Sequence, residues 1–234
     1  MIHQLNHFAK RLILPNSCAL CEAPVVSDVA LCVACATELP RNKNCCALCA
    51  LPLAAATERC GRCLKKRLLI TRIVAPFQYA HPIDSLVLRF KKRGDLACGA
   101  LLAELFGKEF AANTSMSADE MPQALVPVPL HDARLRTRGF DQARLLARAL
   151  AKTVSLRVLT GLQRTRDTGS QSGLSASARV RNVAGAFVAF GLNGVQHVAL
   201  VDDVATTAAT LNACALALKR AGVKRVDAWV IARA

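Results

Sequence analysis

Near the end of the chain, a hydrophobic run changes abruptly into acidic and hydroxylated residues: VQHVALVDDVATTAAT, from Val195 to Thr210. From Val198 to Val201 the run contains no polar residue, which predicts a strand buried on both faces. The residues from Leu211 to Lys219 favour a helix, and Gly222 ends it. The pattern therefore predicts a strand, a loop and a helix in succession.

The loop of this unit, residues 206–210, is rich in groups that suit an anion. The two residues at the strand end and the five of the loop are Asp202, Asp203, Thr206, Thr207, Ala208, Ala209 and Thr210. An anion is favoured at a helix start because the first N–H groups have no partner within the helix, and the threonine hydroxyls add donors. Two carboxylates beside such a site are acceptors for a vicinal diol, so these residues predict a ribose 5-phosphate site. The alternative is a polar strand end followed by a threonine helix cap.

Strand-like and helix-like segments alternate before this unit. Leu68 to Tyr79 is rich in β-branched residues, and Ala124 to Pro129 reads as a short apolar strand. Between them, Pro82 opens a helix that Gly94 ends, and Asp95 caps a second helix that reaches about Phe110. This alternation favours an α/β domain whose central sheet is mainly parallel and flanked by helices.

Cysteines dominate the beginning of the chain, where nine of the 11 lie before residue 64. Eight of them form two copies of C-x2-C, ten residues, C-x2-C, spaced 28 positions apart: Cys18, Cys21, Cys32 and Cys35, then Cys46, Cys49, Cys60 and Cys63. Each C-x2-C pair supplies two sulfurs from one turn, so each copy predicts a structural Zn²⁺ bound by four thiolates. Disulfides are the alternative, but they require an oxidising compartment. Cys45 does not fit the spacing and is predicted to be a spare thiol.

The first 17 residues place their basic side chains after the first apolar ones, and their apolar run is too short for a secretory signal. We expect a short amphipathic helix there. No apolar run approaches the ~20 residues of a membrane-spanning helix, so we expect no membrane span and a cytoplasmic protein. Residues 1–70, the helix and a double zinc ribbon, are predicted to be one domain, and residues 71–234 a second.

Positive charge is in large excess, with 31 Lys and Arg against 16 Asp and Glu and a formal net charge of +15. This predicts an anionic partner, unless the charge serves only to keep the chain in solution. Residues 131–181 contain 11 Lys and Arg and only 3 acids, a pattern that also suits a groove for a longer anion. Aromatic residues make up only 4%, so binding to single-stranded nucleic acid would depend on phosphate contacts.

The acid pair and the threonines after it resemble the phosphoribosyl diphosphate (PRPP) loop of the type I phosphoribosyltransferases. The residues that fall on that motif are Asp202, Asp203, Thr206, Thr207 and Thr210. Ala208 departs from it, because the family usually has glycine there, and alanine costs on the order of 1 kcal/mol if φ is positive. The resemblance implies a phosphoribosyltransferase-like fold, PRPP or a ribose phosphate as the ligand, and Mg²⁺ bound with it. It also implies a pyrophosphate site after the earlier core strand, where Arg134, Arg136 and Arg138 follow.

Several further motifs narrow the resemblance to the ComF competence-protein family, to which the GntX-type proteins also belong. These are the cysteine module, RFKKRGD from Arg89, PVPL with His131, and RGFDQA, in which Asp141 stands where the family usually has asparagine. The spaced polar residues of the family's long loop are also present and include Arg166, Gln171 and Arg179. In a phosphoribosyltransferase these three are expected to meet pyrophosphate oxygens as the loop closes, with Arg166 placed among the catalytic residues beside Asp202 and Asp203. The alternative is an exposed basic hairpin.

Two functions from different classes therefore remain open at the level of sequence. The first is binding of PRPP, followed in an enzyme by transfer of the phosphoribosyl group and release of pyrophosphate. The second, implied by the competence family, is a non-catalytic accessory protein that binds single-stranded DNA during DNA uptake alongside other competence proteins. The two functions are compatible with each other.

Overall fold

A parallel sheet covered on both faces forms the centre of the molecule. The computed structural model describes residues 16–25, 29–65, 68–113, 117–166 and 182–234. The predicted N-terminal amphipathic helix lies outside the described residues. The fold class predicted from the sequence, an α/β domain preceded by a cysteine-rich module, is confirmed.

The described strands and helices follow the predicted alternation. The strands are β1 (Asn16–Ser17), β2 (Pro24–Val25), β3 (Ile73–Val74), β4 (Phe77–Gln78), β5 (Ala124–Pro127), β6 (Arg157–Val158), β7 (Leu162–Arg164), β8 (Phe187–Ala189), β9 (His197–Ala205) and β10 (Arg225–Arg233). The helices are α1 (Val33–Thr37), α2 (Gly61–Lys65), α3 (Ile83–Arg93), α4 (Leu96–Asn113), α5 (Asp132–Arg138), α6 (Gln142–Thr153) and α7 (Ala209–Arg220), with one 3-10 turn (Ala118–Glu120).

The central sheet has the strand order β3-β10-β9-β5-β6, and β4 pairs with β10 beyond the end of β3. Every pairing in it is parallel. The long segment predicted as a strand before the first helix is therefore two short strands on one edge. The helix ends are as predicted: Gly94 is left-handed after α3 (φ 67°), and the Asp95 carboxylate accepts a hydrogen bond from the Cys98 N–H at 3.1 Å.

Strand β9 continues to Ala205, four residues beyond its predicted end at Val201. Strand β10 is long enough to pair with it up to Arg233 opposite Ala205. On the other side, β5 pairs only as far as Pro127 opposite Val201. The acid pair therefore lies inside a strand whose β5 side is uncovered, at the carboxyl edge of the sheet, where ligands of α/β proteins bind.

Each face of the sheet is covered by helices and by one cysteine quartet. The quartet of Cys46 belongs to the buried cluster that contains α7, and the quartet of Cys18 packs with the cluster that contains α3, α4 and α6. Trp229 lies in the second cluster with its ring centroid 4.6 Å from that of Phe110. Both ribbons thus share hydrophobic cores with the sheet, and the division into domains at residue 70 stays a prediction.

Among the described helices, none combines the length and the apolar composition that crossing a membrane requires.

Candidate functional site

A cleft of about 440 Å³ opens at the carboxyl edge of the sheet, above β5 and β9. It is lined by the acid pair, by the loop of residues 206–210 and by side chains from α3, α5 and α6. Its charged lining residues are Lys91, Lys92, Arg134, Arg138, Arg164, Asp202 and Asp203. Five cations thus surround two carboxylates, which suits an anion that also carries hydroxyl groups.

The loop of residues 206–210, which we call the phosphate loop, turns through a left-handed residue. Ala208 has φ 58° and ψ 13° and stands at the N-cap of α7, and its side chain is buried. Among the described residues, the N–H groups of Thr207 and Ala208 donate no hydrogen bond to the protein, whereas the Ala209 N–H donates to Thr207 Oγ1 at 3.4 Å. Uncommitted N–H groups at the start of a helix are a site for an anion.

Lys91 on α3 binds the second carboxylate of the acid pair. Its Nζ lies 2.8 Å from Asp203 Oδ2 and 2.9 Å from Oδ1, and Asp203 is only 2% exposed. Burial opposes the charge of Lys91, but the carboxylates of Asp203 and Asp202 outweigh it and raise the pKa of the lysine. The sequence does not identify this lysine as a site residue, because its partner Asp203 on β9 lies more than a hundred residues away along the chain.

Asp202 differs from Asp203 in its partner and its ionisation. Its Oδ1 accepts the Asp203 N–H at 2.8 Å. Burial, and next the charge of Asp203, raise the pKa of Asp202 to about 7, while Lys91 opposes the rise. Near neutral pH, Asp202 is therefore present both as a protonated carboxyl, which can donate a hydrogen bond, and as a carboxylate, which can only accept one.

The three arginines that were expected to face a pyrophosphate lie on two different sides of helix α5. Arg134 and Arg138 line the cleft, whereas Arg136 is exposed and does not. Residues four apart share one face of a helix, and the residue midway between them points elsewhere. The spacing R-x-R-x-R predicts three arginines that face one ligand, whereas α5 directs Arg136 away from the cleft that Arg134 and Arg138 line. Arg138 Nη1 donates to Gln142 Oε1 at 2.6 Å.

Of the three residues of the long loop that are expected at the site, the structure describes Arg166. Arg166 is exposed and its Nη2 donates to the carbonyls of Asn182 (3.3 Å) and Ala184 (2.7 Å), so it lies outside the described cleft lining. Gln171 and Arg179 fall outside the described residues. Arg164, which the sequence analysis did not select, is 7% exposed, lines the cleft and stacks its guanidinium 5.6 Å from the Phe187 ring centre.

Asp141 caps helix α6, with its Oδ1 accepting the Arg144 N–H at 3.0 Å. A cap needs only an acceptor, so aspartate serves here as well as asparagine.

The cysteine quartets have the geometry of tetrahedral metal sites. All four sulfurs of each quartet lie within 4.8 Å of one another. Representative distances are 3.7 Å for Cys21–Cys32, 3.9 Å for Cys46–Cys63 and 3.7 Å for Cys49–Cys60. Sulfurs ~2.3 Å from a tetrahedral zinc stand about 3.8 Å apart, whereas a disulfide needs about 2.05 Å. The predicted structural zinc sites are therefore supported, and the disulfide alternative is wrong.

Known proteins resemble both the cysteine-rich segment and the chain as a whole. Residues 9–64 match a double zinc ribbon domain. The chain is 32% identical over 208 residues to Competence protein F of Haemophilus influenzae, covering 87% of this chain and 90% of that protein. It is 34% identical over 227 residues to DNA utilization protein YhgH of Salmonella typhimurium, covering 95% and 99%. Competence protein ComFC of Streptococcus pneumoniae is 24% identical over 208 residues, covering 88% and 89%.

Among solved structures, a partial likeness is found to glutamine PRPP amidotransferase of B. subtilis complexed with ADP and GMP. The TM-score is 0.38 at 19% identity, over 57% of this chain and 26% of that one.

Proposed function

Because this chain belongs to the family of Competence protein F and the DNA utilization proteins YhgH, we propose that it serves in the uptake or use of DNA and that its cleft binds PRPP or a related ribose phosphate. The observation that carries the ligand proposal is the meeting of an acid pair, a phosphate loop and a wall of cations in one cleft. Each of these groups matches one part of PRPP.

The phosphate loop matches the 5-phosphate. The N–H groups of Thr207 and Ala208 are uncommitted among the described residues, and the dipole of α7 favours negative charge at its start. Ala208 already holds the left-handed conformation that glycine usually provides, so the departure from the family motif leaves the turn intact. Its methyl group is small enough for the backbone to approach a phosphate.

The acid pair matches the two ribose hydroxyls. Lys91 holds the Asp203 carboxylate at 2.8 Å, and a carboxylate has enough lone pairs to accept a hydroxyl as well. Asp202 lies next to it with one oxygen committed to a backbone N–H. These two residues are the sugar-binding groups of the proposal.

The cationic wall matches the pyrophosphate. Arg134 and Arg138 of α5 and Lys92 of α3 line the same cleft as the acid pair. Mg²⁺ prefers phosphate and carboxylate oxygens, so an ion that came with PRPP would be held beside Asp202 and Asp203 and would neutralise part of the charge of the pyrophosphate.

Transfer chemistry would follow from such binding if an acceptor were held. The bond from ribosyl C1 to the pyrophosphate oxygen would break, a bond from C1 to the acceptor's nucleophile would form, and pyrophosphate would leave with the electron pair. Among the described lining residues we find no set of groups arranged to recognise an acceptor base. The proposal is therefore one of ligand binding.

Calorimetry with PRPP and Mg²⁺ tests this proposal on a matched pair of arginines. Arg138→Gln removes a cation from the cleft and is expected to weaken binding roughly tenfold, about 1.4 kcal/mol. Arg136→Gln removes the same charge from the opposite side of α5 and is expected to leave affinity unchanged. Asp202→Asn with Asp203→Asn should abolish the binding heat. No heat from the unmodified protein would refute the ligand proposal.

A second candidate function, binding of single-stranded DNA, is favoured by exposed charge on the helices that line the cleft. Arg93 on α3 and Arg136 on α5 are exposed outside the cleft lining, and the chain's net charge is +15. A polyanion longer than PRPP would reach these outer residues. Its affinity would fall steeply with salt because binding releases counterions.

A salt series with an oligonucleotide separates the two candidates. Arg136→Gln should weaken DNA binding and reduce the salt slope by about 0.7 if its guanidinium contacts one phosphate, while it leaves PRPP binding intact. A salt-independent affinity would rule out recognition through phosphates. An Arg136→Gln variant with unchanged DNA affinity would place the strand elsewhere on the molecule.

A further inference from the structure

Arg233, the last residue of β10, connects the phosphate loop with the second zinc ribbon. It is 2% exposed although it carries a guanidinium. Its Nε donates to the Cys49 carbonyl at 2.9 Å, and its Nη1 donates to the Ala205 carbonyl at 2.9 Å and to the Thr206 carbonyl. One buried side chain thus joins a zinc ligand's backbone to the residues at which the phosphate loop begins.

The ribbon presents a row of three carbonyls to the structure around it. The Leu48 carbonyl accepts the Ile73 N–H at 2.8 Å, and the Ala50 carbonyl accepts Asn42 Nδ2 at 2.8 Å. The Cys49 carbonyl between them accepts Arg233. These carbonyls point in fixed directions only while the turn from Cys46 to Cys49 is held, and four thiolates on one Zn²⁺ are what hold such a turn.

The loop and the ribbon also share a hydrophobic cluster. Ala205, Ala208 and Ala209 belong to the same buried cluster as the four cysteines of the second quartet. The first quartet lies on the opposite face of the sheet, where Cys18 is buried in the other cluster and Cys32 and Cys35 pack against it. It is held to α3 by Arg89, whose Nη1 donates to the Ala19 carbonyl at 2.6 Å.

We propose that Arg233 is a positioning residue through which the zinc-bound second ribbon fixes the phosphate loop. With zinc bound, Cys49 supplies the acceptor that keeps the guanidinium beneath Ala205 and Thr206. Without zinc, the turn opens and Arg233 loses that partner. Its Nε is then a buried donor without an acceptor, a cost that favours a shift of the guanidinium toward water, and the Ala205 and Thr206 carbonyls bonded to Nη1 move with it.

The repeat in the sequence offers a matched pair of variants to test this coupling. Cys60→Ser disrupts the second quartet, and Cys32→Ser disrupts the equivalent position of the first. The readout is amide hydrogen exchange at Ala209 and Asn212, whose N–H groups bond to Thr207 Oγ1 and to the Ala208 carbonyl. Cys60→Ser and Arg233→Gln should each speed this exchange at least tenfold, and Cys32→Ser should leave it unchanged.

Two further measurements separate positioning from a general loss of stability. Amides in the middle of β9, from Val198 to Val201, should remain protected in Arg233→Gln, and the double variant with Cys60→Ser should exchange no faster than the quicker single variant. Arg233→Lys, which keeps the buried charge but cannot span both acceptors, is the second variant should glutamine not fold. Equal effects of the two ribbons, or an unchanged loop in Arg233→Gln and Arg233→Lys, would overturn the proposal.

A measurement of ligand affinity extends this test, and it depends on the proposed function. Affinity for ribose 5-phosphate, the part of PRPP assigned to the phosphate loop, should fall about tenfold in Cys60→Ser and in Arg233→Gln. If the unmodified protein binds no ribose 5-phosphate, the proposed function fails, while the exchange experiment still decides the coupling.

Discussion

Asp202 is held beside a second carboxylate in a strand that is buried almost to its end. Burial and the charge of Asp203 raise the pKa of Asp202 to about 7, far above the ~3.9 of a free aspartate. The folded protein therefore binds a proton between about pH 4 and pH 7 that the unfolded chain releases. Stability is consequently highest at the acid end of this window and falls as the pH rises through it.

Asp202→Asn should abolish that fall, since asparagine does not titrate. Each unit between the two pKa values is worth about 1.4 kcal/mol, so at pH 8 we expect the variant to be more stable than the unmodified protein by roughly 4 kcal/mol, and at pH 4.5 by about 1 kcal/mol or less. Urea unfolding at both values measures the difference. Asp119→Asn, at an exposed position, is the control and should show the same fall in stability with pH as the unmodified protein. Equal stability of Asp202→Asn and the unmodified protein at pH 8 would contradict the ionisation described here.

At the scale of elements, α3 presents two adjacent lysines to different surroundings. Lys91 pairs with the buried Asp203, whereas Lys92 is exposed at the cleft. The i,i+4 periodicity of α3 places Lys91 with Val87 and Phe90 near the sheet and turns Lys92 toward solvent. The same helix therefore supplies one cation that pairs inside the fold and one that lies exposed at the cleft.

Lys91→Met should destabilise the protein by roughly 1–3 kcal/mol, because it leaves the Asp203 carboxylate buried without its cation. Lys92→Met should change stability by less than about 0.5 kcal/mol. Unfolding in urea measures both, and the m-value checks that the unfolding transition is unchanged. Two variants of similar stability would mean that the ion pair contributes little in solution.

At the scale of the whole molecule, the two zinc ribbons complete the two faces of the sheet. The four cysteines of the second ribbon lie in the buried cluster that contains α7, and Cys18 of the first lies in the cluster that contains α3, α4 and α6. We therefore expect zinc to stabilise the whole fold and not only the first seventy residues. A ribbon without metal would lose its structure and, with it, its packing against the sheet.

The neighbouring pair Cys45 and Cys46 tests the metal assignment. Cys46→Ser removes a ligand and should leave one zinc per chain, with Tm lower by roughly 5–10 °C. Cys45→Ser, which lies outside both quartets, should retain two. Metal analysis and thermal unfolding give the two readouts. Two zinc ions in Cys46→Ser, or fewer than two in Cys45→Ser, would contradict the assignment.

Local patterns were sufficient to predict much of this protein. The C-x2-C repeat determined both metal sites, because the ligands of each pair come from one turn. The hydrophobic run before Asp202 determined the position of the central strand, and the helix-favouring residues from Leu211 determined the helix that follows the loop. In each case the physical cause lies within a few residues of sequence.

Contacts between distant segments required the tertiary structure. The pairing of β9 with β10, and not its own composition, extends β9 to Ala205. The helical turn of α5 decides that Arg138 faces the cleft and Arg136 does not. Lys91 reaches Asp203 across 112 residues, and Arg233 reaches Cys49 across 184. The sequence by itself determined which chemical groups are present and their local geometry, while only the fold decided their partners, because those depend on how the sheet is ordered and which face each helix covers.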